Sequence, residues 1–253
     1  MQKPVLYEVR RDAAWITLNQ PEKRNALSDA IIQGLSEHLG TAIADERVRV
    51  IVLTGAGPSF CAGADLKSGG VTTLEERENP FVTVMKTIWN APKPVIARIN
   101  GPAFGGGVGL VAACDISVAA EAVTFAFSEV RVGVIPAMIS VVVIPKLGVH
   151  QAMYLFLTGE RFSAQRAVEI GLIHRSVPAE RLDEVINEIA GMIHLGGPNA
   201  IRAAKSLVRT VPSLATDEAF RYTSQVIGPL FASEEAAEGM RAFLEKRKPK
   251  WAS

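Results

Sequence analysis

Hydrophobic and polar positions change period several times along the chain, and each change marks an element. Val5-Leu6-Tyr7-Glu8-Val9 and Ala14-Trp15-Ile16-Thr17-Leu18 are rich in β-branched and aromatic residues and flank a turn at Arg11-Asp12, which predicts two strands. Pro21 to Asn25 form a polar loop. Ser28 then precedes apolar positions Ile31, Ile32, Leu35, Leu39 and Ile43 at helical spacing, which predicts a capped helix. Val48 to Leu53 is a continuous apolar run, the pattern of a buried strand, and Thr54-Gly55-Ala56-Gly57-Pro58 ends it.

The pattern recurs further on. Thr73 to Asn90 predicts a helix, Pro94 to Ile99 a buried strand, and Asn100-Gly101-Pro102 a turn. Gly105-Gly106-Gly107 leads into an apolar helix, Val108 to Ala113, and Asp115 to Ala119 is another strand. Strands alternating with helices at this spacing predict an α/β fold with mainly parallel sheet. From about Val149 onward no strand is expected. Gln151–Leu157, Ala164–Ile170, Glu180–Ile193, Ala200–Val211 and Asp217–Phe231 predict helices, and Ser233 caps a last one running to Lys246. Gly196-Gly197-Pro198 marks a candidate boundary between residues 1–195 and 196–253. No fixed-period repeat or low-complexity segment is visible.

Composition narrows the class. The 253 residues suit one large domain with an appended region, and 48% hydrophobic against 21% charged residues is ordinary for a buried core. A net charge of +1 points to neither nucleic acid nor an anionic membrane. Cys61 and Cys114 are too few for a disulfide framework and read as buried small apolar residues. Met1 to Val5 lacks the apolar run of a signal peptide. The most apolar stretch, Val132 to Leu147, is interrupted by Pro136 and Pro145 and is short for a bilayer span. A cytoplasmic enzyme is the expectation.

Two glycine-rich segments follow buried strands: Phe60-Cys61-Ala62-Gly63-Ala64-Asp65-Leu66 and Gly101-Pro102-Ala103-Phe104-Gly105-Gly106-Gly107. Sites in α/β folds form at the carboxyl ends of parallel strands. Glycine allows close backbone approach, and a helix start leaves N–H groups unpaired at its positive end. Two such groups aimed at one oxygen make an oxyanion hole, although either segment taken alone is equally a tight turn. Phe60 and Leu110 break the dinucleotide-binding spacing, and no phosphate loop or G-x-S-x-G elbow is present. His38, His150, His174 and His194 stand at no metal-ligand spacing to one another or to the cysteines. Acid–base work therefore falls to a carboxylate. Glu129, among apolar neighbours in Thr124-Phe125-Ala126-Phe127-Ser128-Glu129-Val130, is the candidate, because desolvation would raise its pKa. The competing reading is a helix-start carboxylate held by the dipole. Lys67 and the run Lys246-Arg247-Lys248-Pro249-Lys250 are either solvated charge or an attraction for phosphate.

These residues together resemble the enoyl-CoA hydratase/isomerase (crotonase) family. The resemblance rests on both glycine-rich segments and on Cys114-Asp115-Ile116, Phe125, Glu129, Gly133 and Ile135-Pro136. It extends through Leu157-Thr158-Gly159-Glu160-Arg161-Phe162-Ser163-Ala164, Ala167 and Gly171-Leu172-Ile173 to Gly239–Arg247, nearly the whole chain. It implies a crotonase-like spiral of ββα units with a C-terminal helical trimerisation region, as a homotrimer or dimer of trimers. It implies oxyanion-hole N–H groups at Ala64 and Gly106. Arg24, Ala62 and Lys67 would lie along CoA, and Phe243 and Lys246 would approach CoA on a neighbouring subunit. No cofactor is implied, since CoA belongs to the acyl-CoA thioester substrate. Standard hydratases hold water with two glutamates; one aligns with Glu129 and the other with Gly109. The Ala137 N–H is a further candidate for positioning water. The expected activity is addition of water to an enoyl-CoA. A Δ3,Δ2-enoyl-CoA isomerase and a non-catalytic acyl-CoA binder remain as alternatives. Motif similarity to hydratases of carboxylated, branched enoyl-CoAs makes Arg131 a candidate partner for a distal substrate carboxylate, alongside its reading as a structural arginine.

Overall fold

A computed structural model describes residues 3–65 and 79–252. Its larger sheet has six strands in the order β1 (Val5–Arg10), β2 (Ala13–Leu18), β3 (Val50–Gly55), β4 (Val95–Ile99), β6 (Ile116–Ala120) and β9 (Arg175–Val177). Only β1 and β2 pair antiparallel, as the hairpin around Arg11 requires; every later pair is parallel. Every residue of β3 is buried, which is why it reads as a continuous apolar run. A smaller sheet holds β5 (Ala103–Phe104), β7 (Thr124–Ala126) and β8 (Arg161–Ser163).

The two sheets are built by one repeated move. Each turn of chain contributes a strand to the large sheet and then a short strand to the small one: β4 then β5, β6 then β7. The turn containing β3 contributes an isolated bridge, Cys61 to Ala103. This is the expected spiral. Helices close the turns: α1 (Asp29–Ala44), α2 (Pro80–Asn90), α3 (Gly106–Ala113) and α4 (Ala137–Thr158). Ser28 caps α1 by accepting from the Ile31 N–H, and Ile31, Ile32, Leu35 and Leu39 enter the core. The stretch expected as helix from residue 73 is helical from Pro80; residues 73–78 lie outside the described residues.

Two expectations need correction. Strands do not stop at Val149: β8 and β9 follow it, and at three residues each they are too short for a period to show. β5 and β7, likewise short, had no signature either. The apolar run around Pro145 is the first half of α4, which has the length and apolar composition of a membrane span. Gly148, at φ 71° and ψ 162°, breaks it into two shorter helices, and Ile139, Val142, Val143, Leu147, Ala152 and Leu155 pack inward.

Beyond α5 (Ala164–Glu169) and α6 (Leu182–His194), three helices form the C-terminal region: α7 (Pro198–Thr210), α8 (Thr216–Phe231) and α9 (Glu234–Leu244). Asp115 at the start of β6 pairs with Lys205 at 2.7 Å and Arg209 at 2.5 Å, which fastens α7 to the spiral. The Glu235 carboxylate accepts from the Asn199 and Ala200 N–H groups at the start of α7, a placement the helix dipole favours. Trp251 Nε1 donates to the Leu195 carbonyl at 3.1 Å. Neither α7 nor α8 buries a residue within the single chain.

Candidate active site

The two glycine-rich segments lie against each other. The Phe60 and Cys61 N–H groups donate to Pro102, and the Phe104 N–H returns to the Cys61 carbonyl at 3.0 Å. Gly63 takes φ +88°, and a Cβ there would meet the Phe104 carbonyl at 2.8 Å and the Gly106 nitrogen at 3.4 Å. Only glycine allows that approach. On the other side, the Ala62 N–H donates to Arg24 and the Leu27 N–H to Gly63. Asn25, fully buried at φ 55°, anchors this loop: its side-chain amide donates to the Ala56 and Ser59 carbonyls and accepts from the Gln20 N–H.

Among the described residues, this arrangement leaves two backbone donors without acceptors. Gly106 is the first residue of α3, so its N–H has no partner inside the helix. Among the described residues the Ala64 N–H has none either. Both residues line one cavity of about 490 Å³.

Glu129 lines the same cavity. It opens a short 3-10 turn, Glu129–Val132, directly after β7, and Gly133 closes the turn in the left-handed region. Its carboxylate rests over Gly105: a Cβ on that residue would lie 3.1 Å from Oε1. Gly105 adopts φ 49° and ψ −117°, a conformation closed to residues with side chains. Oε2 is buried and has no hydrogen-bond partner among the described residues. Burial pushes the Glu129 pKa above the ordinary carboxylate value, outweighing the hydrogen bond from its own N–H that lowers it. Desolvation therefore prevails over the stabilised helix-start reading.

The other predicted residues divide. Arg24 and Ala62 are joined to the site by their shared backbone bond. Ala137 lines the cavity, but its N–H already donates to the Ile135 carbonyl at 2.8 Å and is not free for water. Arg131 is not in the lining. Its guanidinium donates to the Thr158 carbonyl, and its side chain packs on Gly159 at the end of α4. A cation there suits the negative pole of the helix. Lys67 lies outside the described residues. Phe243 is 83% exposed and Lys246 is exposed at φ 54°. Arg247, beside them, pairs with Glu238 and Glu245, which holds the Glu238 carboxyl down at about 2. Cys61 and Cys114 are buried, and burial pushes both thiols up to about 12.

Gly109 is enclosed. A Cβ there would lie 2.3 Å from Ile139 Cγ2 and 3.5 Å from Met85 Sδ, so the space a longer side chain needs is filled by Ile139 from α4. Sequence reasoning also missed Leu27, Phe81, Ser128 and Ile139 as lining residues. Phe81 represents α2 in the cavity. Val84 and Met85 are core, and Trp89 lies under the Arg209 guanidinium elsewhere. Among the described residues, no three His, Cys, Asp or Glu side chains gather as a metal-binding set.

Fold and cavity define an α/β spiral protein in which two backbone donors, unpaired among the described residues, and one partly desolvated carboxylate belong to residues lining the same cavity. Comparison with known proteins gives that class its family. Residues 8–253 match the family model described as enoyl-CoA hydratase/isomerase. The short-chain-enoyl-CoA hydratase of Clostridium acetobutylicum is 32% identical, over 96% of this chain and 95% of its own. The hydroxycinnamoyl-CoA hydratase-lyase of Pseudomonas fluorescens is 34% identical, over 97% and 93%. The crystal structure of an enoyl-CoA hydratase from Mycobacterium smegmatis superposes with a TM-score of 0.91 at 33% identity, covering 100% of both chains. The chain belongs to the enoyl-CoA hydratase/isomerase family, whose fold is the crotonase spiral and whose substrates are acyl-CoA thioesters.

Proposed function

We propose that the protein is an enoyl-CoA hydratase, in which Ala64 and Gly106 hold the thioester oxygen and Glu129 is the acid–base group. The observation that carries this is that one cavity is lined by two residues whose N–H groups lack partners among the described residues and by a carboxylate whose Oε2 is buried and likewise unpaired. Attack on the β-carbon of a 2-enoyl thioester moves negative charge onto the carbonyl oxygen. Donors already fixed by the two loops stabilise that charge without reorganising. Glu129 takes a proton from the attacking water and returns it to the α-carbon. No metal or redox group is needed for these steps.

The lining beyond Glu129 is mainly apolar, with Leu27, Phe81, Val132, Ile135, Met138 and Ile139, which suits a hydrocarbon acyl group. Arg24, Ala62 and Lys67 are proposed CoA contacts, with Phe243 and Lys246 contributed to a neighbouring subunit. Exposed apolar side chains on the C-terminal helices, among them Phe220 at 69%, support a trimer or dimer of trimers.

An acyl-CoA panel that includes 3-methylglutaconyl-CoA, with products identified by mass, tests the reading. Water uptake is expected, and Glu129→Ala should keep CoA-ester binding while losing turnover. Unchanged turnover in that variant overturns Glu129 as the base. Tight binding with no product from any ester would instead indicate a non-catalytic binder. One observation favours a second reading: with position 109 closed by Ile139, Glu129 is the one carboxylate in the described lining, and one base suffices to shuttle a proton between α- and γ-carbons. Double-bond migration in a 3-enoyl-CoA without water uptake would establish the isomerase.

A further inference from the structure

We propose that the Ser128 hydroxyl is the second anchor of the water that Glu129 activates, an inference that rests on the hydratase reading. Among the described residues lining the cavity, Ser128 and Glu129 are the two with polar side chains. Serine at the start of a helical turn ordinarily accepts a bond from a backbone N–H. Ser128 occupies that place and makes no such bond. Its carbonyl accepts from the Arg131 N–H at 3.1 Å, but the half-buried hydroxyl has no partner among the described residues. Beside it, Glu129 Oε2 is buried and equally unpaired. Two adjacent residues that line one cavity thus carry, among the described residues, an unpaired hydroxyl and an unpaired carboxylate oxygen.

A site-bound water needs about two to four polar partners to be ordered. A carboxylate alone leaves it free to pivot; a second acceptor fixes the lone pair that attacks. The other candidates are occupied, since the Ala137 N–H donates to Ile135 and position 109 is closed by Ile139. In the attack, the water oxygen bonds to the β-carbon and one of its protons passes to Glu129. The π electrons move to the thioester oxygen, held by Ala64 and Gly106. As the enolate collapses, the α-carbon takes the proton from Glu129. The water's second hydrogen, bonded to Ser128 Oγ throughout, stays on the product hydroxyl.

Two reactions separate this role from a structural one. Hydration of the best 2-enoyl-CoA of the panel needs the water. Exchange of deuterium from D2O into the α-carbon of the matching saturated acyl-CoA needs Glu129 and the donors, but no bound water. Ser128→Ala should lower the hydration kcat roughly 10- to 100-fold, the scale of lost positioning. KM and the exchange rate should stay within about two-fold of wild type. Ser128→Thr, which keeps the hydroxyl, should restore hydration. Unchanged hydration in Ser128→Ala overturns the proposal, and so does a parallel loss of exchange, which would mean that the serine only supports Glu129. If Glu129→Gln leaves both reactions intact, Glu129 is not the base and this inference falls with it; if no 2-enoyl-CoA of the panel takes up water, the hydratase reading itself fails.

Discussion

Replacing Gly109 with alanine places a methyl group where Ile139 already is. A Cβ at 109 lies 2.3 Å from Ile139 Cγ2 and 3.0 Å from Ile139 Cβ, far inside van der Waals contact. Helix propensity favours alanine over glycine by about 1 kcal/mol, and overpacking a dense core opposes it by about 1–3 kcal/mol. Gly109 is buried on a helix whose residues from Gly107 to Ala113 are all enclosed, so the clash has little room to relax. The net expectation is a loss of up to about 2 kcal/mol. Ile139→Ala alone removes the clashing Cγ2 together with the rest of a buried side chain, at a cost of about 2–5 kcal/mol. In the double variant the new methyl enters the space that Cγ2 vacates. The pair should therefore be less destabilised than the sum of the singles, by about 1–3 kcal/mol. Thermal unfolding at one fixed protein concentration measures this, since about 1 kcal/mol shifts the midpoint by roughly 2–4 °C in a chain of this size. Additivity within about 0.5 kcal/mol would refute the packing argument. The same geometry predicts that Gly109→Glu by itself installs no second catalytic carboxylate, because Ile139 must first be made smaller.

Gly105→Ala should lower turnover about 100-fold and destabilise the fold by about 1–3 kcal/mol, because it forces a side chain into φ 49° and ψ −117° and drives a methyl against the Glu129 carboxylate; wild-type kcat would refute this. The pH profile of kcat/KM should show an acid limb above the ordinary carboxylate range, since Glu129 must be ionised to accept a proton and burial raises its pKa; an acid limb absent from Glu129→Gln ties it to that residue. Stability should run the opposite way. A carboxyl whose folded pKa is raised is fully compatible with the fold below its unfolded value, and it withdraws stability as pH rises through the folded value. Glu129→Gln should therefore be more stable than wild type at neutral pH, and the gain should fade in acid; an equal gain at all pH values would refute the linkage.

How much of this could be read from the chain depended on how far each signal reached along it. β3 and β4 were legible because strands buried on both faces are apolar throughout. α1 was legible from its apolar stripe and its cap at Ser28. β5, β7, β8 and β9 were not, because two or three residues carry no period and their pairing is set by distant partners such as Phe125 with Phe162. The break in α4 falls at Gly148, while Pro145, the expected breaker, sits inside a helix that continues past it.

The candidate site divides along the same line, and the division explains why the proposed handling of water was harder to read than the proposed oxyanion hole. The donors at Ala64 and Gly106 belong to the backbone. What a backbone site asks of the sequence is the absence of side chains nearby, and Gly63 and Gly105 record that absence locally, at the turn itself. In the proposed hydratase water handling belongs to side chains, and its controls come from separate elements: Ile139 from α4 closing the space over Gly109, Ile135 occupying the Ala137 N–H, and Ser128 left uncapped at its turn. A glycine at 109 reads in sequence as a lost glutamate. Beside Ile139 it is a packed position, and a carboxylate could occupy it only after the neighbouring helix had changed as well. The missing second base is thus an interlocked pair of residues, and reversing the chemistry requires both to change together.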